Sequence, residues 1–314
     1  MLNFYIELLF FIEILTFIIS IWALFINFKL YFNFNFNSFS ETQFKLEQQS
    51  YLQKTIIYLT LLSSLALIIF FIFALDSLSF KIKGAMCASG IINSNDFGNL
   101  TLIAKLISFF LLSFWISIDY FEKEHKYYPY IKIKIYTFFL LFIFLILEKF
   151  FLINFFLELF DTSIVKCCSV IYSNSGTNLF LGVDFKIWFI IFIISFLSSC
   201  LKNSYITLVF ETLFLISSLI LITNFFSSYI YELPTHKCPY CMLKHEYSYI
   251  GYFIFLTLFT SSIFNFIYAI LGMFALKDEK LSKIKRVSIF FKILFVLLVI
   301  YFPISYYIKN GVWL

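Results

Sequence analysis

Residues Phe4–Phe28 read FYIELLFFIEILTFIISIWALFINF, with Glu7 and Glu13 as the only charged side chains in the run. About 18 or more consecutive apolar residues suffice for a helix to cross a hydrocarbon layer about 30 Å thick. Seven further runs of this kind occur, near Thr55–Leu75, Leu100–Ile118, Ile135–Leu152, Phe185–Leu201, Tyr205–Phe226, Tyr249–Leu276 and Ile289–Ile308. They lack the period-two alternation of barrel strands and exceed the length of about ten residues that such strands take. Helices are then the remaining way to satisfy backbone polar groups in lipid. The expected fold is all-α: a polytopic integral membrane helical bundle of about eight transmembrane helices, forming a single membrane domain over residues 1–314.

Composition agrees. Of the 314 residues 62% are hydrophobic and 23% aromatic, and only 13% are charged, too few to cover the surface of a soluble domain of this size. This excludes a soluble enzyme, a disordered chain and a nucleic-acid binder. The net charge of +5 comes from thinly spread lysines and makes no polyanion footprint. There is no P-loop and no G-x-G-x-x-G, so no nucleotide is expected as a partner. The lipid bilayer is the expected surrounding. Met1–Phe11 has no basic n-region, contains Glu7 and leads into a run too long for a signal peptide.

Fourteen of the 23 basic residues fall in Lys29–Lys54, Asp119–Lys134, the turn at Lys202 and Lys277–Lys292. The positive-inside rule places those segments in the cytoplasm. Both termini are then outside, in the cytoplasmic (inner) membrane of the cell, and loops 76–99, 153–184 and 227–248 are external.

The scarce residues gather in those external loops. Five of the six cysteines lie there: Cys87, Cys167, Cys168, Cys238 and Cys241, with Cys200 at the other end of the fifth span. Six of the eight glycines lie in or beside the same loops. The third loop carries His236-Lys237-Cys238-Pro239-Tyr240-Cys241-Met242-Leu243-Lys244-His245. A Cys-x-x-Cys pair at the mouth of a helix, near lysines and histidines, favours a thiolate. The pair reads as redox-active, as half of a metal site or as a structural tether. The second loop holds the vicinal pair Cys167-Cys168, whose disulfide would close a strained and easily reduced ring. With five external cysteines, one disulfide framework leaves at least one sulfur over. A metal reading uses Cys87, Cys167, Cys168, Cys238 and Cys241 with His236 or His245, a set suited to copper(I) or zinc.

The Cys238-Pro-Tyr-Cys241 motif, followed by two apolar residues and basic ones, resembles that of the disulfide bond formation protein B family. It is similar also to the Cys-x-x-Cys of the vitamin K epoxide reductase family. The resemblance covers about eight residues. It implies a membrane thiol–disulfide oxidoreductase in which Cys238 and Cys241 are the pair next to a membrane quinone. Lys244 or His245 would stand in the place of the basic residue beside that cofactor. Cys167, Cys168 or Cys87 would relay electrons to an external thiol or disulfide protein. The sequence departs from those families in having eight expected spans against a four-helix core, and a vicinal pair where a spaced one is expected.

Glu13, Glu148 and Glu211 fall inside apolar spans, where a carboxyl faces the bundle interior, pairs or is protonated. They open an alternative: a transporter or permease, or a subunit of a membrane complex, whose external cysteines are structural or metal-gripping.

Overall fold

The computed structural model describes residues 4–34, 40–85, 87–122, 130–161, 179–180, 183–234, 236–273 and 279–314. The N-terminal helices are α1 (Phe4–Asn33), α2 (Glu41–Ser79), α3 (Ala88–Ile92), α4 (Asp96–Glu122) and α5 (Ile131–Asp161). After them come α6 (Phe185–Ser199), α7 (Ser204–Tyr231), α8 (Ile250–Met273) and α9 (Glu279–Asn310). Two short antiparallel strands, Leu179–Phe180 and Val183–Asp184, precede α6.

Seven of the helices are long and apolar enough to span a membrane. The protein is therefore an all-α polytopic membrane bundle, and each expected span falls on one of its helices. The fifth is shorter than the rest. Helix α6 has 15 residues, about 22 Å at about 1.5 Å per residue, less than the hydrocarbon thickness. Helix α2 is longer than expected, because it starts at Glu41 rather than near Thr55. Ser40 caps it by accepting from the Gln43 amide, and the exposed pair Glu41–Lys45 supports its first turns.

The chain divides into two compact units, Met1–Lys166 and Cys167–Leu314. In the first, α1 packs on α2, α2 on α4, α4 on α5, and α5 back on α1. These helices set polar groups within an apolar core that includes Ile57, Leu112, Trp115 and Phe138, and turn other apolar side chains outward. Helix α1 buries Glu13, Ser20 and Asn27 at a spacing of seven, and turns Phe11, Ile14, Ile18, Trp22 and Phe25 outward. Outward apolar side chains cost nothing in lipid, whereas inward polar ones need partners.

Those partners are present. Lys105 of α4 bonds both Glu13 of α1 and Glu148 of α5, and Lys149 bonds the same two carboxylates. Toward the other end of the unit, Lys134 contacts Asp119 at 2.9 Å and Glu122 at 2.6 Å, and Lys54 of α2 reaches Asp119 at 2.5 Å. There Trp115 donates to the Lys134 carbonyl (3.0 Å), and Gln53 donates to Asn27 (2.9 Å). Each long helix of the unit is thus tied to another by a buried polar bond.

The second unit is built likewise from α6, α7, α8 and α9. Glu211 of α7, fully buried, bonds Lys292 of α9 and accepts from Asn265 of α8 at 2.6 Å. Lys292 also donates to Ser199 of α6 at 2.6 Å. Lys285 meets the Ser199 carbonyl, Thr207 and Asn265, three neutral acceptors for its three donors. Above this polar knot lies an apolar cluster that includes Phe192, Phe214, Phe226, Met242 and Phe295.

Removing one member of a buried ion pair leaves the other charge uncompensated, at a cost of about 3–5 kcal/mol. Lys292→Met alone is therefore expected to lower the thermal midpoint of the purified protein far more than the double variant Glu211→Leu/Lys292→Met. Equal losses in scanning calorimetry would show that the pair carries no such coupling.

Candidate functional site

The Cys-x-x-Cys loop belongs to the second unit and links α7 to α8. Its path is set by irregular backbone at both ends. Near its close, α7 contains a π-helical turn, Ile222–Phe226, where the Ser227 amide reaches back five residues to the Ile222 carbonyl. A π turn inserts one residue and rotates the rest of the helix about its axis. Beyond it, Ser227 and Tyr231, four apart and on one face, aim at the loop. The Tyr231 hydroxyl donates to the Cys238 carbonyl, while the Ser227 hydroxyl donates to the Thr223 carbonyl of its own helix at 2.7 Å and lies 3.5 Å from the His236 carbonyl.

Helix α7 ends as Glu232 takes left-handed backbone, with φ 54°. Two more non-glycine residues, Ser248 (φ 52°) and Tyr249 (φ 56°), adopt the same conformation just before α8. Left-handed geometry crowds a Cβ against the carbonyl at a cost of about 1–2 kcal/mol per residue. The loop is therefore held by its contacts against its own backbone preference.

Cys238 and Cys241 are brought together, their sulfurs within 4.8 Å of one another. Cys238 is buried and Cys241 half-buried. Among the described residues no disulfide is formed. Cys241 opens a 3-10 turn, Cys241–Leu243, whose amide bonds run from Leu243 to Tyr240 and from Lys244 to Cys241, both 3.0 Å. The sequence placed the pair at the mouth of a helix. The helix proper starts only at Ile250, and a dipole fades within a turn, so α8 does not act on Cys238 as expected.

Aromatic side chains surround the pair. Tyr231 stands between His236 (ring centroids 4.3 Å) and Tyr247 (4.6 Å). Met242 is fully buried beneath them. Burial, then the neighbouring Cys241 and Glu246, push the Tyr247 phenol above its ordinary value. It keeps its proton through the physiological range. His245 is exposed, with its ring 5.8 Å from Tyr249. Lys244 is half-buried, and its carbonyl accepts from the amides of Tyr247 and Tyr249, both 3.2 Å.

Gly251 lets the loop sit on α8. A Cβ there would come within 2.5 Å of the Met242 side chain and 3.0 Å of its carbonyl oxygen. Backbone cannot yield as a flexible side-chain tip can, so only glycine admits this approach.

Of the other cysteines, Cys87 is buried and belongs to the first unit, as the N-cap residue of α3. Cys200 is the C-cap of α6. Cys167 and Cys168 lie outside the described residues. Sequence reasoning missed Tyr231, Ser227, Tyr247 and Gly251. It missed also the pairing of Lys105 with Glu13, although a lone lysine inside an apolar run is a signal in its own right. No protein-family model, no curated protein and no solved structure matches the chain.

Gly251→Ala is expected to displace the 3-10 turn and to cost about 1–3 kcal/mol, as overpacking does. Thermal melting checks the cost, and the alkylation rate of Cys241 by a small maleimide should rise with it. Tyr247 gives a second check. Its folded phenol holds its proton more tightly than in the unfolded chain, so stability falls as pH climbs past about 10. Tyr247→Phe should flatten that alkaline fall in melts taken across pH 8 to 11.

Proposed function

We propose that the protein is a membrane thiol–disulfide oxidoreductase whose working pair is Cys238 and Cys241. The observation that carries this reading is the approach of the two sulfurs within 4.8 Å, one buried and one half-buried, in a loop held under backbone strain. A disulfide needs its sulfurs at about 2.05 Å, so a small rotation of the two side chains closes or opens the bond.

The two sulfurs have different parts. The half-buried Cys241 is the one an incoming thiol reaches, and the buried Cys238 resolves. A substrate thiolate attacks Cys241 of the oxidised pair, forming a mixed disulfide and releasing Cys238 as thiolate. A second substrate thiol then displaces Cys241, leaving a substrate disulfide and the reduced pair. Re-oxidation removes two electrons and two protons from Cys238 and Cys241.

A quinone of the membrane, when bound, would supply the two-electron sink. The half-buried rings of Tyr247 and His236 suit such a ring in kind, with the buried Tyr231 standing between them. Tyr231 fixes the Cys238 backbone and Tyr247 holds a phenolic proton at the site. The bridge to an external thiol protein, by Cys87, Cys167 or Cys168, belongs to the same proposal. So does a location in the cytoplasmic membrane with both termini outside.

Run in the reverse direction, with a substrate disulfide, the lone Cys241 thiolate of Cys238→Ser attacks and displaces one substrate thiol, and the mixed disulfide it leaves on Cys241 is expected to be trapped, visible as a reducible shift on non-reducing gels. Cys241→Ser should trap less, because Cys238 is shielded. In membranes, oxidation of a model dithiol should fall at least tenfold in the Cys238→Ser/Cys241→Ser variant. An unchanged rate would sink the proposal.

A further inference from the structure

Helix α9 begins in a basic stretch. From Glu279 to Lys292 it carries Lys280, Lys283, Lys285, Arg286 and Lys292, with Glu279 as the one acidic residue. These cations divide by face. Lys285 and Lys292 are buried in the polar knot of the second unit, whereas Lys283 and Arg286 are exposed.

From the two exposed cations a single stripe runs down the helix. Positions 283, 286, 290, 293, 297 and 301 follow at steps of three or four residues, and so lie on one face. Beyond Arg286 the stripe is apolar and turned outward, since Phe290, Ile293, Leu297 and Tyr301 are all exposed. The next exposed charge on α9 is Lys309, about 34 Å further along at about 1.5 Å per residue. A hydrocarbon layer is about 30 Å thick, so these two charges mark its borders and Arg286 stands at the level of the head groups.

The interior behind the patch is itself short of negative charge. Lys285 bonds three neutral acceptors and Lys292 bonds Glu211, one carboxylate for two ammonium groups. The turn between α6 and α7 adds the exposed Lys202 at the same end, where Ser199 and Thr207 on either side of it both bond Lys285. Positive potential from buried and exposed groups thus adds at one end of the unit.

What fits such a surface is anionic at one end and apolar over about 15 Å, half the hydrocarbon thickness. Phe290 to Leu297 lie about 6 to 16 Å below Arg286. A soluble anion has nothing to set against those side chains, and a zwitterionic lipid brings no net charge. An anionic phospholipid has both parts. Arg286 is the only arginine among the 23 basic residues. Its planar guanidinium can bond two phosphate oxygens at once, where a lysine is a point charge.

We infer that Lys283, Arg286 and the apolar stripe below them form a binding site for a phospholipid with a net negative head group. The lipid phosphate accepts from the Arg286 guanidinium, and Lys283 supplies a second positive charge. One acyl chain lies along Phe290, Ile293 and Leu297.

The test mixes the full chain, purified in mild detergent, with phosphatidylglycerol or phosphatidylcholine of the same acyl chains and reads the adducts by native mass spectrometry. At equal concentration, bound phosphatidylglycerol is expected to exceed bound phosphatidylcholine about fivefold, as charges beside an anionic head group give. Lys283→Ala/Arg286→Ala should abolish that preference. Arg286→Lys, which keeps the charge and loses the fork, should weaken it. Lys309→Ala, at the opposite end of α9, should leave it intact. Thermal melts confirm that each variant is folded. Equal binding of the two lipids by wild type, an undiminished preference in either folded Arg286 variant, or an equal loss in Lys309→Ala overturns the assignment. Displacement of the lipid by millimolar inorganic phosphate overturns it too, by making the ligand a soluble anion. A two-chain mass in place of the lipid adduct does the same, by making the stripe a contact between copies.

Discussion

The long helices of this protein bury polar side chains among apolar ones, and the buried charges among them find one another. Helices satisfy their own backbones in lipid, but a buried carboxylate or ammonium has no water to fall back on. Glu13 answers to Lys105 and Lys149, and Glu211 to Lys292. Such pairs gain little over apolar packing, yet a single mismatch strands a charge. They therefore fix which helices meet and in which register more than they add stability. The apolar side chains, which are interchangeable against lipid, carry no such information.

Within that constraint the two units share a plan. Each has four main helices, and each has a cysteine-bearing connection between the second and the third. In each, that connection presses on a glycine at the start of the third helix. The Ile92 carbonyl oxygen occupies the space a Gly98 Cβ would need, and the Met242 side chain lies 2.5 Å from where that of Gly251 would stand. The partners of the buried carboxylates differ, with Glu13 on the first helix of its unit and Glu211 on the second of its own. The shared feature is thus the way a loop is seated on a helix end, and the ion networks are particular to each unit.

The class of fold was legible because hydrocarbon thickness imposes one length on every span, and a run such as Phe4–Phe28 meets it without reference to anything else. The polar interior was half legible. Glu13 and Glu211 stood out as charges in apolar runs, but their partners came from other helices, and pairing between helices leaves no local pattern. The same blindness affected the lysines counted as loop residues. Lys54, Lys134, Lys285 and Lys292 are engaged in buried bonds, because the helices run on past the apolar runs that announced them. At the candidate site the cysteines were visible by their spacing. Tyr231 and Gly251 were not, since a π turn and a close backbone approach depend on what the chain packs against.

That π turn, three left-handed non-glycine residues and a 3-10 turn all fall between Ile222 and Tyr249. Each such departure costs of order 1–3 kcal/mol and persists only where surrounding contacts over-determine it. Here the contacts can be named: Tyr231 on the Cys238 carbonyl and Met242 pressed onto Gly251. The arrangement holds one sulfur buried and its neighbour half-buried. In the proposed exchange of disulfides, that asymmetry lets one thiol meet the partner while the other waits out of reach.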